Sequence, residues 1–182
     1  MGKNIILIGF MGTGKSTVGM KLAERLKMEF IDLDREIEKV TGISISQIFK
    51  RYGEIRFRSE ESLMAERLAK RQNIVIATGG GIVLQENNIE TLRQNGLIIC
   101  LDANPEDIFA RVNRKRGTRP LLKKNLTVDD IKDMLAVRNP FYQCADYRLN
   151  TSGKDLEAVV REIISILNND RGKYLSKNEE LR

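Results

Sequence analysis

The stretch Gly9-Phe-Met-Gly-Thr-Gly-Lys-Ser16 decides the fold class of this chain. It matches the pattern G-x-x-x-x-G-K-[ST], directly after the apolar run Ile5–Ile8 and directly before a helical pattern. Its glycines allow backbone N–H groups to turn toward phosphate oxygens, at the positive end of the following helix. Lys15 would reach the β- and γ-phosphates of a nucleotide, and the Ser16 hydroxyl would coordinate Mg²⁺. The alternative is a glycine-rich turn with an incidental lysine, but a random chain of this length matches the pattern on the order of once in a hundred.

Apolar runs typical of buried strands alternate with helical patterns along the rest of the chain. Strands are predicted at Ile5–Ile8, Phe30–Leu33, Ile74–Ala77, Leu97–Leu101 and Tyr147–Leu149. Helix starts are predicted at Ser44-x-x-Gln47, Thr127-x-x-Asp130 and Ser152-x-x-Asp155. This alternation predicts an α/β fold, with a mostly parallel sheet and helices on both faces. Ligands of such sheets bind beyond the carboxyl ends of the strands.

The length and composition predict one soluble domain with a buried core. We place this domain at residues 1–169, and we expect residues 170–182 to be a disordered tail because the apolar periodicity stops there. No apolar run reaches the length of a membrane span, and the N-terminus lacks a signal-peptide pattern. Cys100 and Cys144 have no metal-ligand spacing and are expected to be free thiols in a reducing cytoplasm.

The net charge of +6 is concentrated in one segment. Seven basic residues and no acid lie between Arg111 and Lys124, so the rest of the chain is close to neutral. Such a segment can attract nucleic acid or bind one polyanionic ligand. The basic residues are not interleaved with aromatic ones, and the chain has no tryptophan. We therefore predict no nucleic-acid partner.

Two carboxylates follow the second predicted strand. Asp32 and Asp34 are two residues apart, so their side chains point the same way if the strand continues that far. Asp32 suits the binding of Mg²⁺ through water, and Asp34 suits the orientation of an acceptor hydroxyl. The alternative is that Asp34 only caps a helix that starts near Arg35. Beside a phosphate-binding loop, we favour the functional interpretation.

Two arginines are candidates for binding a carboxylate on the acceptor. Arg58 carries the guanidinium fork that favours bidentate carboxylate binding, and Glu61 is close enough in sequence to hold it. Arg138 lies just before Asn139-Pro140, where the proline disfavours further helix. The alternative for either arginine is a solvated side chain.

A triple glycine and a segment with one more arginine complete the candidate site. Gly79, Gly80 and Gly81 follow the third predicted strand, where backbone N–H groups can approach a ligand closely; the alternative is a flexible turn. Arg119-Pro-Leu-Leu lies in the basic segment. It would be a mobile lid that excludes water and stabilises the transferring charge, or else a solvated loop. Together these features predict transfer of the γ-phosphate of ATP to a small acceptor that carries a carboxylate.

With these motifs in order, the chain resembles the shikimate kinases over roughly Lys3–Leu167. The motifs that carry the resemblance are the phosphate-binding loop, D-x-D at Asp32–Asp34, G-E-x-x-F-R at Gly53–Arg58, Gly79–Gly81, R-P-L-L at Arg119–Leu122 and R-x-P-x-Y at Arg138–Tyr142. The resemblance implies a five-stranded parallel sheet of the nucleoside-monophosphate-kinase type, with a mobile lid at about residues 111–125. It also implies Mg²⁺-dependent transfer of the γ-phosphate of ATP to the 3-hydroxyl of shikimate, in aromatic amino-acid biosynthesis.

The resemblance further implies a role for individual residues. The implied catalytic residues are Lys15, Asp34 and Arg119. The implied shikimate-binding residues are Asp34, Arg58, Gly79, Gly80, Gly81 and Arg138, with Phe49 and Phe57 either beside the ring or in the core. The implied ATP-binding residues are Gly12, Thr13, Gly14, Lys15, Ser16, Thr17, Arg111 and Arg119. Ser16 and, through water, Asp32 would bind the metal.

Arg111 would stack on the adenine, and the loop Thr151–Lys154 would lie on the other side of the base. This assignment requires a one-residue insertion in the lid, because the family spacing counted back from Arg119 falls near Val112.

Two other functions fit part of the pattern. A gluconate kinase also phosphorylates a hydroxylated acid, but the triple glycine with the paired Arg58 and Arg138 favours shikimate. A non-catalytic nucleotide-binding regulator would tolerate the loss of Asp34 or Arg119, yet every expected catalytic position is filled. We therefore expect a monomeric enzyme whose partners are ATP and shikimate, with no membrane partner.

Overall fold

Five strands form a parallel sheet in the computed structural model, which describes residues 3–114 and 126–179, with side chains up to residue 169. In chain order they are β1 (Asn4–Ile8), β2 (Glu29–Asp32), β3 (Ile74–Ala77), β4 (Gly96–Asp102) and β5 (Tyr147–Asn150). The strand order is β2-β3-β1-β4-β5. All four pairings are parallel, and β1 lies at the centre with every residue buried. Continuous apolar strands are typical of a parallel sheet covered on both faces, so the predicted fold class is confirmed.

Helices connect the strands, as parallel pairing requires. They are α1 (Lys15–Leu26), α2 (Leu33–Thr41), α3 (Ile45–Ala69), α4 (Glu86–Arg93), α5 (Pro105–Asn113), α6 (Val128–Arg138) and α7 (Leu156–Glu179). Two 3₁₀ turns span Ile82–Leu84 and Asn139–Cys144. Ser44 and Thr127 begin α3 and α6 with complete capping boxes, as predicted.

The start of α7 differs in detail from the prediction. The Asp155 carboxylate accepts a hydrogen bond of 2.7 Å from the Ala158 N–H, so Asp155 satisfies the first turn of this helix. The Ser152 hydroxyl instead accepts the Asn104 N–H at 2.7 Å. The predicted helix is therefore present, but the serine is used to fix the end of a neighbouring loop.

The chain divides into two compact units, residues 1–152 and residues 153–182. The first contains the sheet and α1–α6, and the second contains α7. Helix α7 crosses residue 169, where we placed the end of the domain; that boundary and the disorder of residues 170–182 stay predictions. Within the described part of the chain, no helix is both long and apolar enough to cross a membrane. Cys100 and Cys144 are not disulfide-bonded.

Candidate active site

The loop between β1 and α1 forms the phosphate side of the site. Gly9 has φ +136°, and a Cβ there would lie 2.2 Å from the Leu101 carbonyl oxygen, so only glycine fits. The Lys15 ammonium is buried and donates to the carbonyls of Gly9 at 2.7 Å and Phe10 at 3.0 Å. The Thr13 hydroxyl also donates to the Phe10 carbonyl, at 2.8 Å. These bonds shape the loop around the N-terminus of α1, where backbone N–H groups favour a phosphate.

Asp32 and Ser16 lie side by side at the carboxyl end of β2. The Ser16 hydroxyl donates to Asp32 Oδ2 at 2.7 Å. Asp32 Oδ1 accepts the Arg35 N–H at 3.3 Å, so Asp32 is the N-cap of α2. The strand therefore ends at Asp32 and does not continue to Asp34, which lies in the first turn of α2. The expectation that the strand continues to Asp34 is therefore wrong. The alternative that Asp34 caps the helix is also wrong, because Asp32 is the residue whose carboxylate caps it.

A cavity of about 360 Å³ extends from this loop to the carboxyl ends of β2 and β3. Its lining residues are Met11, Gly12, Gly14, Lys15, Ser16, Thr17, Asp32, Asp34, Thr78, Gly79, Gly80, Arg111 and Arg114. The structure thus brings most of the predicted ATP-binding and metal-binding residues together with Asp34 and two of the three glycines. Arg114 is an addition, because the sequence singled it out only as part of the basic segment. Thr13 is buried and does not line the cavity.

Asp34 and Glu61 lie next to the triple glycine. A Cβ placed on Gly79 would be 2.8 Å from Asp34 Oδ1 and 3.0 Å from Glu61 Oε1. Both oxygens are buried and accept no hydrogen bond from the residues that the structure describes. Burial raises the pKa of Asp34 to about 7, and the negative charges of Glu61 and Asp32 add to the rise. A carboxyl group with this pKa can take a proton from a neighbouring hydroxyl near neutral pH.

Arg58 is held by two glutamates on its own helix. Its NH1 donates to Glu61 Oε2 at 2.7 Å, while Nε and NH2 donate to Glu54 Oε1 at 3.2 and 2.9 Å. Glu61 is fully buried, which raises its pKa, and the charges of Arg58 and Arg138 act in the opposite direction. A Cβ on Gly81 would lie 2.4 Å from Arg58 NH1, so glycine at this position lets the guanidinium pack against the turn.

Arg138 is the last residue of α6. Its NH1 is buried and donates to no described residue, although its charge acts on Glu61 from nearby. A buried guanidinium nitrogen without an acceptor is unfavourable, and a ligand carboxylate would satisfy it. Arg58 is bonded to the buried Glu61 and Arg138 acts on it by its charge, while a shared carboxylate site for the two arginines stays a prediction.

Phe49 and Phe57 pack against each other with ring centroids 4.8 Å apart. Phe57 is buried, and the Arg58 guanidinium lies 5.2 Å from its ring centroid. Phe57 therefore belongs to the core and borders the arginine, while the partly buried Phe49 packs against the core. Their contact with a bound ring stays a prediction.

Arg111 contacts the phosphate-binding loop from outside. Its NH1 donates to the Gly12 carbonyl and to the Thr151 hydroxyl, both at 3.2 Å. The Thr151 hydroxyl lies 3.2 Å from the Thr13 carbonyl oxygen and 3.0 Å from that of Asp102. The stacking of Arg111 on adenine stays a prediction, as does the contact from the loop Thr151–Lys154. Arg119 and most of the predicted lid, residues 111–125, lie outside the described residues.

Tyr142 makes a contact with the triple glycine that the sequence did not indicate. The sequence showed only that this residue belongs to the R-x-P-x-Y motif. It is fully buried, and its hydroxyl donates to the Gly80 carbonyl at 2.7 Å, across 62 residues. A buried tyrosine hydroxyl needs a partner, but the identity of a partner so far along the chain depends on the fold.

Comparison with known proteins agrees with this geometry. The shikimate kinase family model matches residues 11–168. The shikimate kinase of Pelotomaculum thermopropionicum is 51% identical over 165 residues, which cover 91% of this chain and 95% of the relative. That of Caldanaerobacter subterraneus subsp. tengcongensis is 46% identical over 162 residues, covering 89% and 94%.

A solved structure extends the similarity to three dimensions. The shikimate kinase from Acinetobacter baumannii in complex with shikimate superposes with a TM-score of 0.87 at 37% identity, covering 93% of this chain and 95% of that one. Sequence and structure agree over nearly the whole chain, and the protein belongs to the shikimate kinase family.

Proposed function

We propose that the protein transfers the γ-phosphate of ATP to the 3-hydroxyl of shikimate, giving shikimate 3-phosphate and ADP. The observation that carries the proposal is the cavity in which the phosphate-binding loop, Asp34 and the triple glycine come together, with Arg58 packed against Gly81 beside it. The sequence identity to relatives named shikimate kinase supports the same conclusion, and so does the structural similarity to a shikimate kinase solved in complex with shikimate.

The phosphate-binding loop and the start of α1 would bind the nucleotide. Lys15 would leave the carbonyls of Gly9 and Phe10 and bind the β- and γ-phosphates, while the backbone of Gly12–Thr17 surrounds them. Ser16 and Asp32 present two adjacent oxygen ligands of the kind Mg²⁺ prefers, so they would hold the metal, Asp32 through water. The bound metal would neutralise charge on the phosphates.

The opposite side of the site would bind shikimate. Arg58 and the unpaired NH1 of Arg138 would bind its carboxylate, and Asp34 and the N–H groups of Gly79–Gly81 would bind its hydroxyls. The acceptor oxygen would attack the γ-phosphorus in line as the bond to ADP breaks. Asp34 would orient this hydroxyl and accept its proton, because its raised pKa matches neutral pH. Positioning and charge stabilisation would supply the acceleration, with Arg119 as a further cation from the lid.

The same proposal includes the setting of the enzyme. The chain would act as a monomer in the cytoplasm, where the free thiols of Cys100 and Cys144 stay reduced. Size-exclusion chromatography with light scattering measures the mass, and a dimer in solution would contradict the monomer.

The decisive experiment measures ADP release from Mg·ATP in a coupled assay with shikimate, gluconate, AMP or no acceptor. Turnover that depends on shikimate is the expected result. Turnover that depends on gluconate instead would contradict the assignment and support the alternative sugar-acid kinase. ADP release that no acceptor stimulates above water would contradict it as well.

A further inference from the structure

The carbonyl groups of the triple glycine have hydrogen-bond partners in the protein, whereas its N–H groups have none among the described residues. The Gly79 carbonyl accepts the Ile82 N–H at 3.3 Å, and the Gly81 carbonyl accepts the Leu84 N–H at 3.0 Å. The Gly80 carbonyl accepts the Tyr142 hydroxyl at 2.7 Å. The three N–H groups donate to no residue in the described ranges. All three carbonyls are therefore occupied by the protein, and the three N–H groups are left for a ligand.

The Gly80 carbonyl is the one of these three whose partner is not local. The carbonyls of Gly79 and Gly81 each accept the N–H of the residue three positions later in the chain. Tyr142, in contrast, lies after α6 in the 3₁₀ turn Asn139–Cys144. A peptide between two glycines has few steric limits on its orientation, so its direction has to be set from outside. The Tyr142 phenol is a hydrogen-bond donor at neutral pH, and burial raises its pKa further above the ordinary range.

The orientation of this peptide matters because of the groups around it. A Cβ on Gly80 would lie 3.4 Å from the Met11 backbone nitrogen, and one on Gly81 would lie 2.4 Å from Arg58 NH1. The peptide thus lies between the phosphate-binding loop and the arginine that would bind the acceptor. In a trans peptide the C=O and the N–H point in opposite directions, and the described residues contain no cis bond. Fixing the Gly80 carbonyl against Tyr142 therefore directs the Gly81 N–H away from Tyr142.

We infer that Tyr142 is a positioning residue, whose hydroxyl fixes the Gly80–Gly81 peptide so that the Gly81 N–H is held in place for the acceptor. This inference rests on the proposed function, in which that N–H binds a shikimate hydroxyl. Tyr142 itself does not line the cavity. It lies four residues after Arg138, so one short segment carries a residue that would bind the acceptor and also the hydroxyl that fixes the Gly80–Gly81 peptide.

The kinetic test compares Tyr142→Phe with the wild type and with Tyr52→Phe, which removes a hydroxyl from a side chain that is 60% exposed. For Tyr142→Phe, kcat/KM for shikimate is expected to fall about tenfold to a hundredfold because the acceptor is misplaced. The KM for ATP is expected to stay within about twofold of the wild type, because the phosphate-binding loop is unchanged. A wild-type kcat/KM for shikimate, or an equal loss for both substrates, would overturn the inference.

A second measurement observes the Gly80–Gly81 peptide directly, through the NMR signal of the Gly81 amide, and does not depend on enzyme turnover. Selective ¹⁵N-glycine labelling makes the Gly81 amide visible by NMR, and its resonance is assigned by its disappearance in Gly81→Ala. In Tyr142→Phe this resonance is expected to broaden or split, while it stays single in Tyr52→Phe. An unchanged Gly81 resonance would contradict the inference even if shikimate were not the acceptor.

If the proposed function itself is wrong, the wild-type enzyme will show no turnover of shikimate. This outcome differs from those that would overturn the inference about Tyr142. If Tyr142→Phe does not fold, hydrogen exchange of the Gly81 amide in the wild type gives the answer. Shikimate is expected to slow that exchange, and an unchanged exchange rate in an enzyme that does turn over shikimate would overturn the inference.

Discussion

The phosphate side and the acceptor side of the site are built in different ways. One continuous stretch, Gly9–Thr17, supplies the phosphate side, and its buried Lys15 and Thr13 have partners within the loop. The acceptor side is assembled from α2, α3, α6 and the turn after β3. It contains three buried charged atoms that have no hydrogen-bond partner among the described residues: Asp34 Oδ1, Glu61 Oε1 and Arg138 NH1.

This difference separates general binding from specificity. A loop that satisfies its own polar groups is stable without a ligand and accepts the phosphates of any nucleotide that fits. Buried charges without partners are unfavourable until a ligand supplies the missing partners. An acceptor with a carboxylate and hydroxyls in the right places is therefore favoured over one that lacks them, which is how a polar site rejects near analogues.

The largest expected effect is on the phosphate side. In Lys15→Met, kcat is expected to fall about a thousandfold, or about 4 kcal/mol, because no cation replaces the ammonium at the transferring phosphate. Lys21→Met is the control, since Lys21 lies on the same helix and its salt bridge to Glu24 faces solvent. Steady-state kinetics in the coupled assay decides the matter, and near-normal turnover of Lys15→Met would contradict the assignment.

Asp34→Asn tests how much the buried carboxylate on the acceptor side lowers the free energy of unfolding. The folded protein raises the pKa of Asp34 from 3.8 to about 7, so between these values the unfolded chain binds fewer protons and wild-type stability falls as the pH rises. Asparagine carries no charge, so the variant is expected to be more stable at pH 8, by on the order of 3 kcal/mol. The difference should shrink toward pH 5, while kcat is expected to be about a hundredfold below that of the wild type at every pH.

Urea unfolding of nucleotide-free and Mg²⁺-free protein at several pH values measures this difference. A stability difference that does not change with pH would show that Asp34 titrates near its ordinary value in the folded state.

Arg138→Met removes one of the two acceptor cations. The KM for shikimate is expected to rise about a hundredfold, or about 2.7 kcal/mol, with a smaller change in kcat and none in the KM for ATP. Since NH1 has no hydrogen-bond partner among the described residues, stability is expected to change little. Arg56→Met is the control, because Arg56 is an exposed arginine paired with Glu60. A loss of stability without a change in KM would make Arg138 structural.

Gly81→Ala has the smallest expected effect. The new Cβ would be 2.4 Å from Arg58 NH1, so the guanidinium has to move, and the KM for shikimate is expected to rise about tenfold. Gly42→Ala is the control, because Gly42 has φ +72° and nothing within 4 Å of an added Cβ. That change should lower stability and leave both KM values alone. If Gly81→Ala raised the KM for ATP as well, the separation of the two sides would be wrong.

The same contrast explains what the sequence could predict. The five strands, the loop Gly9–Ser16 and the capping boxes at Ser44 and Thr127 are local patterns, and each is present in the structure. The end of β2 was misplaced because Asp32 has two competing uses, strand residue and helix cap, and local spacing does not decide between them.

The remaining features depend on tertiary contacts. The raised pKa of Asp34 results mainly from its burial in the folded protein, with a further contribution from Glu61 on another helix. The partner of the Gly80 carbonyl is Tyr142, from the other half of the chain. The sequence named Arg58 and Arg138 as candidates, but only folding shows that both lie near the buried Glu61.

The two hydrogen bonds that Lys15 makes to the carbonyls of Gly9 and Phe10 make nucleotide binding an exchange. The ammonium has to leave two neutral oxygens before it meets an anionic one, and each bond it leaves contributes about 0.5–1.5 kcal/mol. A lone inorganic anion offers little more than the lysine already has. A polyphosphate chain offers several charged oxygens at once, so we expect Lys15 to exchange its two carbonyl partners for a nucleotide more readily than for a small anion.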